Sequence, residues 1–233
     1  MGQAIMHSIA GSDDLQLASV WVRGEQRVRS LDLPQDVLCS SDLDKVVSVA
    51  DVVVDFSLPE ATSGVVAAVV RNGKPLVCGV SGLTDEHMAE LDLAARTVAV
   101  VLDRNMSLGI AVLENLVRQA SAALVSGFEV EIHETHHVHK IDAPSGTALK
   151  LGDAISEQRG TAAEEIRYEV ERRGDVPGDH SVIFSSATER LTLNHSVTTR
   201  QVFADGALIA VRWVVDKAPG RYQMRDVLER SNW

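Results

Sequence analysis

The segment from His133 to Leu149, which reads HETHHVHKIDAPSGTAL, concentrates the side chains of this chain that could do chemistry. It places four histidines and a lysine within eight residues, and then turns through a proline and a glycine into a predicted helix. Imidazole titrates near neutral pH, ligates metals and donates to anions. The segment is therefore compatible with metal chelation, with proton transfer and with anion binding.

A zinc site is the first possibility, because His133, Glu134 and His137 spell the H-E-x-x-H pattern of zinc proteases. That pattern needs a helix, but the residues from Phe128 to His133 alternate apolar and polar, which predicts a strand. Positions four apart on a strand lie about 13 Å apart, whereas zinc bonds of about 2 Å hold two ligands within about 4 Å of each other. We therefore expect no metal here, and a solvated, histidine-rich strand end is the plainer alternative.

The helix start after the histidines favours an anion site. Residues 143–147, Ala-Pro-Ser-Gly-Thr, predict a tight turn into a helix with one apolar side, formed by Ala148, Leu149, Leu151, Ala154 and Ile155. The first turn of a helix offers unpaired N–H groups and a partial positive charge, which suit a carboxylate or a phosphate. Lys140 and the histidines before it add cationic donors and possible general acids. The segment thus predicts an anion site with a proton donor beside it.

The elements that precede this segment alternate between strands and helices. Short β-rich runs are expected at 15–22, 51–57, 75–82 and 98–105, several of them apolar at nearly every position. Helices are expected at 59–73, which ends on Gly73, and at 84–96, with Thr84 as its N-cap. This order predicts an α/β fold with a doubly wound parallel sheet. Residues 1–17 look helical, so a strand and a G-x-G-x-x-G turn are missing from the expected start of such a sheet.

The second half predicts an α+β domain with an open mixed sheet. A long helix is expected at 105–124, followed by the histidine segment, an acidic and basic stretch at 164–179, and strand-like runs at 189–197 and 200–215. We expect a first domain at 1–104 with 213–233 packing back on it, and a second domain at 105–212. No flexible linker or internal repeat separates them.

Composition limits the classes of function. The net charge of −11 argues against a nucleic-acid or anionic-membrane partner, although a local positive site could still bind an anionic metabolite. Two cysteines, Cys39 and Cys78, are too few for a disulfide scaffold, so a reducing cytoplasm is expected. The longest apolar run falls far short of the roughly 20 residues of a membrane span.

The histidine segment as a whole resembles the signature of the 4-hydroxy-tetrahydrodipicolinate reductase (dihydrodipicolinate reductase) family of the diaminopimelate route to lysine. The run H-H-x-H-K-x-D-x-P-S-G-T carries the resemblance, together with DFSLPEAT, VCGVSGL, DRNMSLG, RQVFADGA and the terminal RDVL. It implies a Rossmann-like cofactor domain, a substrate domain and a homotetramer. It also implies hydride transfer from NADH or NADPH to a cyclic, imine-containing dicarboxylate with loss of water.

The resemblance also implies roles for particular residues. His136 and Lys140 would be the catalytic pair, and His137, Gly146 and Thr147 would hold the substrate carboxylates. The nicotinamide and ribose would be lined by two strand ends, Gly79, Val80 and Ser81 after one and Asp103, Arg104, Asn105 and Met106 after another.

Three departures from the family pattern bear on function. Met1-Gly2 matches only the end of a G-x-x-G-R-M-G phosphate loop, so we expect a start upstream of Met1 that was missed or trimmed. Arg23 stands where relatives often carry an acid, which favours a 2′-phosphate and hence NADPH over NADH. The family pattern has about a dozen more residues after Val176-Pro177-Gly178 than this chain, which predicts a shortened hairpin and leaves the oligomer size open.

The missing loop also keeps an alternative open, namely a non-catalytic or impaired homologue that binds the dicarboxylate without turning it over. A related dehydrogenase acting on another substrate would not need the H-H-x-H-K-x-D-x-P-S-G-T run.

Overall fold

The structure is a computed structural model, and it describes residues 1–24, 33–162 and 165–229. These residues form two compact units, one made of 1–103 and 203–233 and the other of 104–202. The sequence predicted domain boundaries at 104/105 and 212/213. In the structure the chain returns to the first unit at 202/203, ten residues before the second predicted boundary and within a helix.

The first unit contains two parallel sheets. One pairs β1 (Ser19–Trp21) with β2 (Leu38–Ser40), and the other has the order β10-β5-β4-β3, built from β3 (Val53–Asp55), β4 (Leu76–Cys78), β5 (Ala99–Leu102) and β10 (Gly220–Tyr222). β4 and β5 are buried at every position, as their apolar runs predict for strands covered on both faces. The expected α/β class is confirmed. The start of the chain is helical as predicted, since residues 2–10 form α1 (Gly2–Ala10).

The helices of this unit begin and end where local chemistry places them. They are α2 (Leu43–Ser48), α3 (Thr62–Asn72), α4 (Asp85–Ala94) and α8 (Met224–Glu229). Thr84 caps α4, accepting from the backbone N–H of His87, as expected. Gly73 ends α3 with φ 63°, a left-handed conformation that glycine adopts without steric cost. The terminal RDVL motif lies in α8, which belongs to this unit, and Met224 N–H donates to the Asp103 carboxylate.

The second unit packs two helices on one face of a mixed sheet. The sheet has the order β7-β6-β8-β9, from β6 (Glu129–His136), β7 (Arg167–Arg172), β8 (Asp179–Ser185) and β9 (Arg190–Ser196). Its covered face meets α5 (Leu108–Ala123) and α6 (Gly146–Arg159) through a core that includes Ile132, Leu151, Val182 and Phe184. The strand predicted before the histidines is confirmed. Leu149, placed on the apolar side of α6 from sequence, is instead 40% exposed.

One predicted strand is a helix. Residues 201–214, expected to be strand-like, form α7 (Gln201–Val214), whose residues 204, 207, 208, 211 and 214 are buried. That spacing is helical, but the many valine, isoleucine and aromatic residues of this run gave it a β-like composition. The prediction also missed β7 and β8. Glu164, where the acidic and basic stretch begins, lies outside the described residues.

The hairpin of the second sheet is β8–β9, and β8 begins one residue after Gly178. Whether it is shorter than in relatives stays a prediction. No helix within the described ranges has both the length and the apolar character needed to span a membrane.

A buried ion cluster joins α5 to α6. The side chain of Glu114 is 1% exposed and lies 2.8 Å from Lys150 Nζ and 3.1 Å from Arg118 Nη2. Because a carboxylate removed from water needs opposite charges close by, these two cations hold Glu114 in its ionised form. The Lys150 and Arg118 charges together outweigh the burial of Glu114, so its pKa lies below its usual value.

Replacing Lys150 by Met should therefore destabilise the second unit by about 3 kcal/mol, the lower end of the range for breaking a buried pair, since Arg118 remains. This unit contains no tryptophan, so we would follow it by hydrogen exchange of the α5 and α6 amides. Arg173→Met, which removes an exposed pair with Glu171 in the same unit, is the matched control and should change stability by less than about 1 kcal/mol. Equal effects of the two substitutions would contradict a role for burial.

Candidate active site

Strand β6 places Ile132, Glu134 and His136 on the face covered by the helices, because side chains alternate along a strand. Ile132 belongs to the apolar core, whereas the Glu134 side chain is fully buried and that of His136 is 8% exposed. The predicted period of two is thus present, but two of the inward positions carry ionisable groups. The ionisable side chains of Glu134 and His136 therefore lie on the covered face of β6, next to the apolar core.

The Glu134 carboxylate is surrounded by donors. Both of its oxygens accept from Ser145 N–H, at 3.1 and 3.2 Å, and Oε1 also accepts from Arg172 Nη2 at 3.3 Å. Oε2 lies 3.4 Å from His136 Nδ1 and 3.8 Å from His180 Nε2. Glu134 therefore connects three strands, β6, β7 and β8, to the residue that caps α6.

His136 lies against Glu134 on one side and Gly178 on the other. A Cβ at Gly178 would come within 3.0 Å of His136 Nε2, and φ there is 157°, so this position requires glycine. Burial lowers the pKa of His136, the Glu134 carboxylate acts in the opposite direction, and the Lys140 and Arg172 charges add to the lowering. The balance leaves the pKa of His136 below its usual value.

His180 is a buried neutral histidine that the sequence did not point to. It pairs with Glu134 in the β6–β8 register, its ring lies 5.0 Å from that of His136, and its Nε2 is 3.2 Å from Ser145 Oγ. Burial lowers the pKa of His180 to about 3, with His136, His195 and Lys140 acting in the same direction. Nothing local in the sequence signals this residue, because it reaches the site through strand pairing.

The turn and helix predicted after the histidines are present, and a carboxylate lies just before the helix start. Ser145 is the N-cap of α6, accepting from Ala148 N–H at 3.1 Å. Asp142 Oδ1 accepts from Lys140 Nζ at 2.7 Å. Burial acts to raise the pKa of Asp142, but the Lys140 ammonium outweighs it and the pKa lies below its usual value. Lys140 thus pairs with a carboxylate in the segment that leads into α6.

Arg172 holds the segment that carries Lys140. Its guanidinium donates to the backbone oxygens of Lys140, at 3.3 Å, and of Asp142, at 2.6 Å, besides its contact with Glu134. Sequence analysis missed this arginine, which lies 38 residues from Glu134.

The other predicted substrate residues also have polar partners in the second unit. His137 Nε2 accepts from Arg200 Nη2 at 2.9 Å, and burial together with the Arg200 charge lowers the pKa of His137. Thr147 Oγ1 accepts from Asn105 Nδ2 at 3.0 Å, and Arg104 pairs with Asp153 at 3.2 Å. Arg104 and Asn105, expected on the nicotinamide side, therefore contact residues of α6, while Met106 is buried at 1% exposure.

The remaining predicted cofactor residues lie in the first unit, at the carboxyl ends of its strands. Gly79, Val80 and Ser81 follow β4, and Asp103 follows β5. The Gly79 N–H donates to the backbone carbonyl of Asp55 at the end of β3, and the Asp103 N–H donates to the backbone carbonyl of Cys78. A Cβ at Gly79 would lie 2.4 Å from the Phe56 ring, so only glycine fits. Asp55 is 5% exposed, and its Oδ2 has no hydrogen-bond partner among the described residues. These ends form the edge where doubly wound sheets bind ligands.

Arg23 follows β1 and is exposed. Its guanidinium lies 3.4 Å from Glu60, and both side chains are more than half exposed. Such a pair contributes little, about 0–1 kcal/mol, and leaves the guanidinium available to another anion.

Glu134, His136 and His180 also bring one ligand-type atom each to within 4.8 Å of one another. The Glu134 oxygens are already met by the Arg172 guanidinium and the Ser145 N–H, and a cation placed there would face that guanidinium. We interpret the cluster as an acid–base site, and the expectation of no metal stays a prediction.

The comparisons with known proteins agree with this arrangement. The family model "Dihydrodipicolinate reductase, N-terminus" matches residues 1–106, and "Dihydrodipicolinate reductase, C-terminus" matches residues 109–228. The chain belongs to the dihydrodipicolinate reductase family. It is 36% identical over 252 residues to the 4-hydroxy-tetrahydrodipicolinate reductase of Syntrophotalea carbinolica, covering 98% of this chain and 94% of that protein. It is 38% identical over 248 residues to that of Sulfurimonas denitrificans, covering 98% and 95%.

A solved structure shows the same fold. The dipicolinate-bound dihydrodipicolinate reductase from Paenisporosarcina sp. TG-14 superposes with a TM-score of 0.81 at 21% identity, covering 95% of this chain and 92% of that one. The resemblance inferred from the histidine segment is confirmed, as is the two-part fold class.

The neutral state of His180 makes stability depend on pH. Because its folded pKa of about 3 lies below its unfolded value of about 6.5, the unfolded chain binds more protons between these values. Stability is therefore complete above about pH 6.5 and falls towards pH 3 by up to about 1.4 kcal/mol per pH unit. Urea unfolding followed by far-UV circular dichroism from pH 7 to 4 should show a shallower slope for His180→Gln. The exposed His7→Gln is the control, and an unchanged slope in His180→Gln would contradict the assignment.

Proposed function

We propose that this chain reduces 4-hydroxy-tetrahydrodipicolinate to tetrahydrodipicolinate, with a nicotinamide cofactor, in lysine and diaminopimelate biosynthesis. The observation that carries the proposal is the β6–α6 segment, where the buried His136 contacts the Glu134 carboxylate and Lys140 contacts the Asp142 carboxylate just before the start of α6. Family membership supplies the substrate class, and the side chains supply the chemistry. We expect the working form to be a homo-oligomer, a tetramer by resemblance to the family.

The substrate carboxylates meet two sets of donors in the second unit. One set is the Lys140 ammonium, which in this structure contacts the Asp142 carboxylate, together with the Gly146 N–H at the start of α6. The other is Arg200, whose neutral partner His137 leaves its positive charge uncompensated at that contact. Thr147 adds a buried hydroxyl beside Gly146. An acidic protein thereby presents a local positive site to a dicarboxylate.

His136 and Lys140 handle the proton that accompanies reduction. Hydride addition to the ring puts negative charge on the substrate, one proton is taken up and water leaves. His136 is a buried imidazole beside a carboxylate, so it can hold a proton next to that negative charge and transfer it to the substrate. The Lys140 charge stabilises the developing negative charge.

The first unit fits the cofactor. Its strand ends offer a glycine turn at Gly79, the Ser81 hydroxyl and the orphaned Oδ2 of Asp55, an arrangement that suits a nicotinamide and its ribose. When bound, the nicotinamide supplies the hydride. Arg23 would hold a 2′-phosphate, which makes NADPH the expected form.

Substitution tests the catalytic pair. His136→Asn should lower kcat by about 10²–10⁴ with the substrate and NADPH, since a proton donor is lost. Lys140→Met should also lower kcat, because the compensating charge is gone. His133→Asn, on the uncovered face of the same strand and 44% exposed, is the matched control and should retain turnover. Full turnover in Lys140→Met would remove that residue from the mechanism.

Cofactor choice has its own test. Titration of the chain with NADPH and NADH, followed by nicotinamide fluorescence, should show tighter binding of NADPH. Arg23→Ala should weaken NADPH binding about tenfold, as the loss of one charge-assisted contact implies, and leave NADH binding nearly unchanged. Arg71→Ala, another exposed paired arginine of the same unit, serves as control. Equal binding of both cofactors would overturn the preference, and no binding at all would favour the non-catalytic alternative.

A further inference from the structure

The observation that leads beyond the proposed function is a buried carboxylate next to the proposed acid. Glu134 is two residues before His136 on the same face of β6, and its side chain has no exposure to solvent. Burying an isolated carboxylate is costly unless charged or N–H donors meet it. In this chain those donors are the groups that make up the proposed active site.

A protonated His136 needs a negatively charged group in contact with its ring. The charged and titratable groups that face it are Glu134 on its own strand, Lys140 and Asp142 in the following segment, Arg172 on β7 and His180 on β8. Burial and the charges of Lys140 and Arg172 all disfavour protonation of His136. The Asp142 carboxylate is 56% exposed and already paired with Lys140. Glu134 is the buried negative group in contact with the ring, at 3.4 Å.

Glu134 also fixes the position of the ring relative to the substrate cradle. Its contact with Ser145 N–H attaches β6 directly to the cap of α6, and its contact with Arg172 attaches it to the residue that holds the Lys140 segment. One carboxylate therefore links the proposed acid, the cradle and the lysine.

We propose that Glu134 is the positioning residue for His136: its buried carboxylate stabilises the protonated imidazole and fixes it against the start of α6. This inference rests on the proposed function for its kinetic consequence, but not for its effect on the titration of His136. His180 is a neutral ring near the same carboxylate oxygen, Oε2, and its centroid lies 5.0 Å from that of His136.

The test compares Glu134→Gln with the intact enzyme in two measurements. The first is the pH profile of kcat and KM with saturating NADPH. The substitution should lower the pH at which activity is lost on the alkaline side by about 1–3 units, as expected for removal of an opposite charge at this distance. The fall in kcat should exceed the change in KM. Glu134→Asp, which keeps the charge, should restore part of the profile.

The second measurement does not require activity. NMR titration of the imidazole carbons, with His136 assigned from His136→Asn, should show the His136 midpoint moving down by a similar amount in Glu134→Gln. Glu114→Gln is the matched control, because it neutralises another buried carboxylate with two cationic partners in the same unit. It should lower stability without moving the His136 midpoint.

The outcomes separate the two claims. A wild-type chain without reductase activity but with the expected NMR shift would refute the proposed function and leave the role of Glu134 intact. A Glu134→Gln variant that loses activity with no shift of the His136 midpoint would overturn the positioning role. So would a stoichiometric metal ion in the purified protein that disappears in Glu134→Gln.

Discussion

A carboxylate held out of water must be met by donors, and the second unit is arranged around this requirement at Glu134. Ser145 N–H and Arg172 Nη2 donate to this carboxylate, and the rings of His136 and His180 lie within 4 Å of it, so that groups from four separate elements meet one side chain. The loss of either donor would leave part of a buried charge unsatisfied. This constraint fixes the β6–β7 and β6–β8 registers and the start of α6 together, and so fixes where Lys140 and the cradle lie.

Local sequence predicted the features that local chemistry determines. The alternation around Ile132 identified β6. The Pro-Ser-Gly-Thr turn identified the start of α6. Gly73 and Thr84 set helix ends for the same kind of reason. In each case the deciding contacts lie within four residues along the chain.

The partners of these residues could not be predicted in that way. Arg172 reaches Glu134 across 38 residues, and His180 meets Ser145 across 35, both through strand pairing that no local pattern encodes. β7 and β8 were missed because one is rich in charges and the other interrupts its apolar residues with polar inward positions such as His180. The strand predicted at 200–215 was wrong for a different reason, since the β-branched and aromatic residues of this run hid the helical spacing of its buried positions. The family resemblance pointed to the candidate catalytic and substrate-binding residues, but Arg172 and His180, which surround Glu134, could be identified only from the three-dimensional structure.

Asp142 shows how a chain with a net charge of −11 can serve an anionic substrate. Its carboxylate contacts the Lys140 ammonium just before the start of α6, so a local positive group lies where the proposed function places a substrate carboxylate. Because the Asp142 side chain is 56% exposed, its contact with Lys140 is worth about 1 kcal/mol or less, and we expect a substrate carboxylate to replace it at small cost. Glu134 differs in this respect, since its side chain is fully buried. In the proposed function the exposed acid therefore gives way to the substrate, whereas the buried acid keeps its charge beside His136.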